Sequence, residues 1–379
     1  MDKKVPEIRF EGFVDDWEQR KLGVLLEETK RPIKMEDDKE YQLVTVKRRN
    51  EGVILRGVFK GKDILVKNYF ELQSGDYVIS KRQVVHGANG IVPENLDGAI
   101  VSNEYLVSVG NQTITTSFLT IISKLPQMYE MFFLSSYGID IEKLVFNVED
   151  WKKRKLFIPS LAEQKMISLF FTSLDNTIAL HQEKLEALKR IKTAYLDKIF
   201  SQEIRFFGFE ETWEQRKLGE ICSNFRSGGT ITSKEIFDCG KYPVYGGNGL
   251  RGYTETYTHE GVYVLIGRQG ALCGNINTVS GKVYISEHAI AIAENEMSDI
   301  RWLEQLLIKM NLNAYSESSA QPGLSVDKLK MLRVFSPSKK EQIAIGNFFC
   351  MLDDTITLHH QKIDSLHKLK CAYLQKMFL

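Results

Sequence analysis

The chain of 379 residues lacks several features that mark common protein classes. Its five cysteines show no CxxC pairing and no histidines at metal-ligand spacing, which argues against disulfides and structural zinc and favours a reducing compartment. No stretch approaches the roughly 20 apolar residues that cross a bilayer, and the first ten residues lack the apolar core of a signal peptide. We therefore expect a soluble, cytoplasmic protein that does not contact a membrane.

An excess of charge of either sign is also missing. Lysine and arginine number 50 and aspartate and glutamate 49, giving a formal net charge of +1. A nucleic-acid surface would therefore have to be a local face of the protein, because its average charge would not attract phosphates.

Sequence motifs of common catalysts are absent. The chain contains no GxxxxGK[ST] P-loop, no Gly-x-Ser-x-Gly, no HExxH and no acid and lysine cluster typical of a nuclease. Residues 247–252 spell GxGxxG, but the following residues do not favour a helix start, so we interpret this segment as a turn. The sequence argues against an autonomous hydrolase or ATPase and indicates no metal site.

Two segments of the chain occur twice. Residues 7–23 (EIRFEGFVDDWEQRKLG) return as residues 203–219 with thirteen of seventeen positions identical, at an offset of 196. Residues 157–200 match residues 335–378 at half of their positions, at an offset of 178. The material between the repeated segments shows no similarity. The order indicates a duplicated scaffold that carries two unlike modules.

Each copy of the second repeat has the apolar spacing of a coiled-coil seam, with alternating steps of four and three residues. A single helix of this length with one apolar stripe is unstable in water. We expect the two copies to pair within one chain, antiparallel and related by a pseudo-two-fold axis. A homodimer zipper and ordinary core helices remain alternatives. The expected helix-packing residues are Phe171, Leu174, Ile178, Leu185, Leu188, Tyr195, Phe349, Leu352, Ile356, Ile363, Leu366 and Tyr373, with His181 and His359 as non-catalytic seam residues.

The intervening modules read as mixed, strand-rich α+β domains, because β-branched runs alternate with glycine turns. Polar residues of base-reading types cluster in those turns, where arginine can bind guanine and asparagine or glutamine can bind adenine. Taken singly, each residue is at least as typical of a solvated surface or a phosphate contact. Candidates in the first module are Lys47, Arg48, Arg49, Ser80, Lys81, Arg82, Gln83, His86 and Asn89. Candidates in the second are Tyr245, Gly246, Gly247, Asn248, Arg251, Arg268, Gln269, Ser286, Glu287 and His288. A helix is expected at residues 299–310, followed by a loop at 316–325.

In combination, several phrases resemble the specificity subunits of type I restriction-modification enzymes over essentially the whole chain. They are WEQRKLG (17–23 and 213–219), GDYVISKRQVVHGANGIV (75–92), YPVYGGNGLRGY (242–253), VLIGRQGALCGNI (264–276) and ISEHAIAI (285–292), with PSLAEQ (159–164) and PSKKEQ (337–342) before the helices. The more polar PSKKEQ leaves the packing of Lys339 and Lys340 open. The resemblance implies target-recognition domains at 1–156 and 201–334 and spacer helices at 157–200 and 335–379.

The resemblance also implies a function. Each domain would read one half of an asymmetric bipartite site in double-stranded DNA, and the helices would set the gap between the halves. Two methyltransferase subunits that bind S-adenosylmethionine and two restriction subunits that use ATP and Mg²⁺ would complete the enzyme, and this chain would bind no cofactor. The target bases do not carry over from the resemblance.

Two other functions compete with DNA reading. A coiled-coil scaffold that binds proteins only would share the helices, although identical modules would suit it better. An autonomous nuclease or methyltransferase is disfavoured, because adenine methyltransferases carry an Asn/Asp-Pro-Pro-aromatic motif and this chain has no Pro-Pro pair.

Overall fold

The computed structural model describes residues 5–65, 68–316 and 323–378, and the chain divides into two compact units. The first unit contains the described residues up to Leu180 together with those from Ile363 onward, and the second unit spans His181 to Lys362. Most of the loop expected at 316–325 lies outside the described residues.

The first unit contains two four-stranded sheets, ordered β2-β9-β6-β7 and β4-β3-β8-β5, and two short strand pairs, β1-β12 and β10-β11. Its strands are β1 (Glu18–Lys21), β2 (Leu26–Glu28), β3 (Glu40–Lys47), β4 (Gly52–Lys60), β5 (Tyr69–Glu71), β6 (Tyr77–Ser80), β7 (Asn89–Ile91), β8 (Ile100–Ser102), β9 (Tyr105–Gly110), β10 (Ser136–Tyr137), β11 (Val145–Phe146) and β12 (Lys155–Ile158). Its short helices are α1 (Leu22–Leu25), α2 (Thr116–Ile122), α3 (Pro126–Leu134) and α4 (Val148–Lys153).

The two faces of strand β3 pack into two different cores. Tyr41 and Leu43 of β3 pack in one apolar cluster, whereas Val44 and Val46 pack in another. The strand register shifts between Leu43 and Val44. The extra residue of this bulge is Arg56 of β4. Strand β3 itself keeps the regular alternation of a strand, which points Tyr41 and Leu43 to one face and Val44 and Val46 to the other.

A helix of 40 residues, α5 (Leu161–Phe200), leaves the first unit and continues into the second. The helix begins at Leu161 and not at residue 157, because Phe157 and Ile158 belong to β12, which pairs with β1. Pro159 stands between strand and helix, where its missing N–H costs nothing.

The second unit contains a six-stranded mixed sheet, ordered β14-β19-β17-β18-β15-β16, and a strand pair, β13-β20. Its strands are β13 (Glu214–Lys217), β14 (Ser223–Ser227), β15 (Tyr242–Gly246), β16 (Gly249–Thr254), β17 (His259–Gly267), β18 (Ile276–Ile285), β19 (Ala289–Ala293) and β20 (Arg333–Ser336). Its helices are α6 (Ile300–Met310) and α7 (Val326–Met331), followed by α8 (Lys339–Lys376), which continues into the first unit. The expected helix at 299–310 is confirmed. Asp299 caps its N-terminus and Asn311, with φ of +48°, ends it.

The repeated sequence motifs form the same buried ion pair in each unit. Arg9 donates from Nε and Nη2 to the carboxylate of Glu163 at 2.8 and 2.6 Å. Arg205 makes the equivalent bonds to Glu341 at 3.0 and 2.6 Å, and Trp213 donates to the same carboxylate from Nε1 at 3.2 Å. Both carboxylates are buried, and the hydrogen bonds to them raise the pKa of each arginine. These pairs join the repeated N-terminal segment of each module to the start of its long helix.

A buried glutamine ties each long helix to the module that precedes it. Oε1 of Gln164 accepts from the backbone N–H of Thr115, the N-cap residue of α2, at 3.0 Å. Oε1 of Gln342 accepts from the backbone N–H of Asp299, the N-cap residue of α6, at 2.9 Å. The Glu-Gln pair of PSLAEQ and PSKKEQ therefore has the same structural role in both units.

The lysines of PSKKEQ are accommodated at the start of α8. Lys339 occupies the place of Leu161 in the first repeat, and its Nζ donates to the carbonyl oxygen of Asn295 at 3.1 Å. Lys340 is exposed.

Within the first unit, the beginning of α5 packs beside the end of α8. The ring centroids of Phe170 and Tyr373 are 5.0 Å apart, and Lys370 donates to Asp175. Residue numbers rise along one helix as they fall along the other, so the helices run antiparallel.

Within the second unit, the end of α5 packs beside the beginning of α8 through the repeat-equivalent residues. The ring centroids of Tyr195 and Phe348 are 5.2 Å apart, and Nζ of Lys192 lies 2.6 Å from Oδ1 of Asp353. The prediction of two strand-rich modules and two long antiparallel helices is confirmed.

Most of the expected helix-packing residues are buried or half-buried. The buried ones are Phe171, Leu174, Ile178, Leu185, Phe349, Ile363 and Leu366. The half-buried ones are Leu188, Leu352, Ile356 and Tyr373. Tyr195 is 41% exposed and contributes through its ring contact with Phe348.

Candidate nucleic-acid interface

In the first unit, the hairpin loop between β3 and β4 docks on the turn that follows β6. Arg49 and Asn50 have φ of +60° and +56°, a conformation that Asn tolerates and that reverses the chain. The backbone N–H of Arg49 donates to the carbonyl of His86 at 2.7 Å, and that of Asn50 donates to Gly87 at 2.9 Å. The structure thereby brings the candidates of the hairpin loop close to those of the turn after β6. We name these residues the first-module cluster: Lys47, Arg48, Arg49, Ser80, Lys81, Arg82, Gln83, His86 and Asn89.

Arg48 of the first-module cluster makes two side-chain hydrogen bonds. Its Nε donates to Oε1 of Gln83 at 2.7 Å, and its Nη2 donates to Oε2 of Glu142 at 2.8 Å. Nε2 of His86 lies 3.6 Å from Oε1 of the same carboxylate. Glu142 is not among the residues predicted from the sequence, because no motif connects it with residues so distant in the chain.

Other cations of this cluster have partners of their own. Nζ of Lys81 donates to the carbonyl of Asn103 at 2.7 Å. Nε of Arg82 lies 3.1 Å from Oε2 of Glu104. Nζ of Lys47 is 3.8 Å from a carboxylate oxygen of Glu51. These contacts are exposed and each stabilises the fold weakly, so DNA phosphates could displace them at small cost.

Two candidates in the first module are buried and do not belong to an accessible surface. Ser80 is 7% exposed and Asn89 is 2% exposed. Nδ2 of Asn89 donates to Oδ1 of Asn50 at 3.2 Å, which supports the hairpin loop from beneath. Burial leaves these two side chains little surface for a contact with DNA, because Ser80 ends β6 and Asn89 begins β7, and the side chains of these strands fill the core. Their contact with DNA stays a prediction.

In the second unit, the three turns that follow β15, β17 and β18 lie close together. The backbone N–H of Ser286 donates to the carbonyl of Tyr245 at 2.8 Å, and that of Arg268 donates to His288 at 2.9 Å. A Cβ added to Gly247 would lie 2.9 Å from the Cα of Gly267, so this approach requires glycine. The structure therefore brings the second set of candidates together, and we name it the second-module cluster.

The second-module cluster divides into a buried base and an exposed rim. Gly246, Gly247 and Ser286 are buried and support the turns, and their contact with DNA stays a prediction. Arg268 and Tyr245 are half-buried. The exposed rim consists of Asn248, Arg251, Gln269 and His288.

Two arginines of the first-module cluster and two of the second-module cluster differ in how they are paired. Arg48 and Arg82 of the first module each contact a carboxylate. Within residues 5–65, 68–316 and 323–378, Arg251 and Arg268 of the second module form no side-chain ion pair. The second cluster therefore presents guanidinium groups whose charge is not neutralised by a neighbour.

The GxGxxG segment is a turn followed by a strand, as expected, since β16 begins at Gly249.

Among the described residues, no group of three or more His, Cys, Asp or Glu side chains is placed to hold a metal ion, and no helix is long and apolar enough to span a membrane. All five cysteines are unpaired. Burial raises the pKa of the Cys222 thiol to about 12, which leaves it protonated and unreactive.

Comparison with curated proteins shows partial matches to type I specificity subunits. A stretch of 170 residues is 42% identical to the type I restriction enzyme EcoprrI specificity subunit of Escherichia coli and covers 43% of this chain and 40% of that protein. A stretch of 243 residues is 24% identical to a type I specificity subunit of Mycoplasma genitalium, covering 58% of this chain and 63% of the relative. The matches span less than two thirds of either relative.

Solved structures share the fold along almost the whole chain. The type I restriction-modification system S subunit from M. genitalium aligns with a TM-score of 0.68 at 18% identity, covering 99% of both chains. The HsdS subunit from Thermoanaerobacter tengcongensis aligns with a TM-score of 0.50 at 16% identity, covering 96% of both chains. These likenesses concern the fold alone.

The family assignment rests on a model that matches the chain twice. Residues 14–190 and 210–368 each match the type I restriction modification DNA specificity domain. Each match contains one polar turn cluster and most of one long helix, and the resemblance noted in the sequence is confirmed. The chain belongs to the type I restriction-modification DNA specificity domain family.

Proposed function

We propose that this chain is the DNA-reading subunit of a type I restriction-modification enzyme and that each module reads one half of an asymmetric bipartite site. The proposal is supported by the contrast between the shared scaffold of the two units and their unlike surface clusters. The two units share the same buried Arg–Glu ion pair, which we name the clamp, and the same helix packing. Their surface clusters, in contrast, are built from different turns and different side chains. A duplicated scaffold with unlike sensors suits a site with two unlike halves.

The long helices supply the spacing in this proposal. The helices are continuous for 40 and 38 residues, and no proline interrupts either one. Ion pairs and aromatic contacts hold them side by side in each unit. A stiff connection of fixed length would keep the gap between half-sites constant.

The chemistry is assigned to partner subunits. We propose that the chain itself is not catalytic and binds no cofactor, and that two methyltransferase subunits with S-adenosylmethionine and two restriction subunits with ATP and Mg²⁺ complete the enzyme in the cytoplasm. The absence from the sequence of a Pro-Pro methyltransferase motif and of a P-loop supports this division.

The proposal is tested by expressing the chain with its methyltransferase partner in a host that lacks adenine methylation and mapping methylated adenines across the genome. A split motif, with two short specified sequences around an unspecified gap, is the expected result. A single contiguous motif would contradict the two-module account. No methylation dependent on this chain would favour the protein-binding scaffold instead.

A further inference from the structure

We propose that Arg48 reads a guanine in the half-site of the first module and that Gln83 and Glu142 are positioning residues that orient it. The inference rests on the proposed function and assigns one base-reading side chain within it. Arg48 lies at the end of β3, where the hairpin loop is exposed, and its side chain is 50% exposed. It is therefore accessible to a ligand and also held by two hydrogen bonds.

The hydrogen bonds leave one edge of the guanidinium available. Nε of Arg48 is occupied by Gln83 at 2.7 Å, and Nη2 donates to Glu142 at 2.8 Å. Nη1 makes no hydrogen bond within the part of the chain that the structure describes. Arginine has five N–H donors, so the Nη1 group and the second hydrogen of Nη2 remain to bind two acceptors at once. Guanine presents such a pair, O6 and N7, in the major groove.

The supports of Arg48 are themselves fixed by the backbone. The backbone N–H of Glu142 donates to Oδ1 of Asp140 at 3.2 Å, which anchors a single turn of 3-10 helix over Ile141–Lys143. Gln83 lies in the turn whose carbonyl groups at His86 and Gly87 hold the hairpin loop. Two hydrogen bonds at once restrict the rotamers of the guanidinium more than a single exposed pair does, and such preorganisation favours a directional contact.

The carboxylate of Glu142 also argues against a phosphate as the partner of Arg48. A negative charge 2.8 Å from the guanidinium repels a phosphate and lowers its attraction to that site. Arg251 and Arg268 of the second-module cluster lack such a carboxylate, which suits them better to phosphate contacts. A neutral base edge loses much less from the nearby carboxylate, and hydrogen-bond geometry then decides the contact.

The test compares methylation motifs made by complexes of variant chains with the methyltransferase partner. Arg48→Ala is expected to relax one base pair of one half-site, with discrimination there falling roughly ten- to hundred-fold. Arg48→Lys keeps the charge but loses the planar guanidinium that can donate to two acceptors at once, so it is expected to relax the same base pair. Gln83→Ala and Glu142→Ala are expected to relax that position more weakly. Arg20→Ala is the matched control, because Arg20 forms an exposed pair with Glu18 outside the cluster.

The outcomes separate this inference from the proposed function. Uniform weakening on all sequences in Arg48→Ala, with full rescue by Arg48→Lys and a salt slope smaller by about one, would identify a phosphate contact and overturn the inference. An unchanged motif in Arg48→Ala would also overturn it, while a split motif from the unmodified chain would leave the proposed function standing. If the unmodified chain gave no split motif, both would fail. Thermal unfolding of each variant distinguishes lost reading from lost folding.

Discussion

Nδ1 of His181 lies 2.9 Å from Nδ1 of His359, so each histidine meets its own repeat equivalent across the helix pair. One ring must donate and the other accept, which requires at least one neutral ring. Burial, the neighbouring His359, and Lys184 and Lys362 lower the pKa of His181. These surroundings therefore favour the neutral form of His181.

This pair predicts a loss of stability in mild acid. The folded-state pKa of His181 lies below the unfolded value of about 6.5, so the unfolded chain takes up the proton first and stability falls as the pH drops below that value. Urea unfolding at pH 7.5 and pH 5.5 measures the difference. The double variant His181→Leu, His359→Leu should show a smaller drop than the unmodified chain, and an equal drop in both would refute a role for this pair.

Breaking the clamp of the second unit, the ion pair between Arg205 and Glu341, should strongly lower the free energy of unfolding. Arg205→Ala leaves the Glu341 carboxylate, 1% exposed, without its cation, and the expected loss is about 3–5 kcal/mol in the free energy of unfolding. Arg216→Ala in the same unit removes a partner from the exposed carboxylate of Glu214 and should cost about 0–1 kcal/mol. Denaturant unfolding of both variants tests the contrast. Similar small losses would show that the clamp does not anchor the module.

The glycine turn of the second-module cluster should not tolerate a side chain. In Gly247→Ala the new Cβ would lie 2.9 Å from both the Cα of Gly267 and the carbonyl oxygen of His288, so backbone must move. We expect a loss of about 1–3 kcal/mol and a weakened second half-site. Asn248→Ala, at the exposed next position, should change stability by less than about 0.5 kcal/mol. Unfolding curves and methylation motifs measured together decide the matter, and an unperturbed Gly247→Ala would count against the close approach.

The spacer function predicts that matched insertions change the gap alone. Seven residues inserted after Leu185 in α5 and after its repeat equivalent Ile363 in α8 keep the heptad phase of both helices. Each helix lengthens by roughly 10 Å, or about three base pairs of DNA. The methylation motif should retain both half-sites around a longer gap. An insertion in α5 alone is the control and should destabilise the chain, because the two seams fall out of register. A change in the specified bases themselves would contradict the spacer function.

The scaffold was predictable from the sequence because the apolar residues of its helices are periodic and two of its segments are duplicated. The four-three spacing identified Leu174, Ile178 and Leu366, which form one apolar cluster on the helix pair. Glu163 of PSLAEQ and Glu341 of PSKKEQ stand at equivalent places of the two repeats, and each forms an ion pair with an equivalent arginine. The repeated sequence therefore forms the same Arg–Glu ion pair in each unit.

The candidate site was less predictable because burial and long-range pairing leave little local trace. Ser80 and Asn89 look like surface polar residues in a turn, but they stand at strand ends whose side chains point inward. Glu142 reaches Arg48 across 94 residues of chain, and no periodicity connects the two. Helices α2 and α3 were also not foreseen among the strand signals of the first module.

Exchange of one module tests the central claim most directly. Residues 24–156 are replaced by the first module of another family member, the chimera is expressed with the methyltransferase partner, and methylated adenines are mapped across the genome. The expected motif keeps the half-site read by the second module and the original gap, and it acquires one new half-site. A motif in which both halves change, or neither does, would contradict the assignment of one half-site to each module.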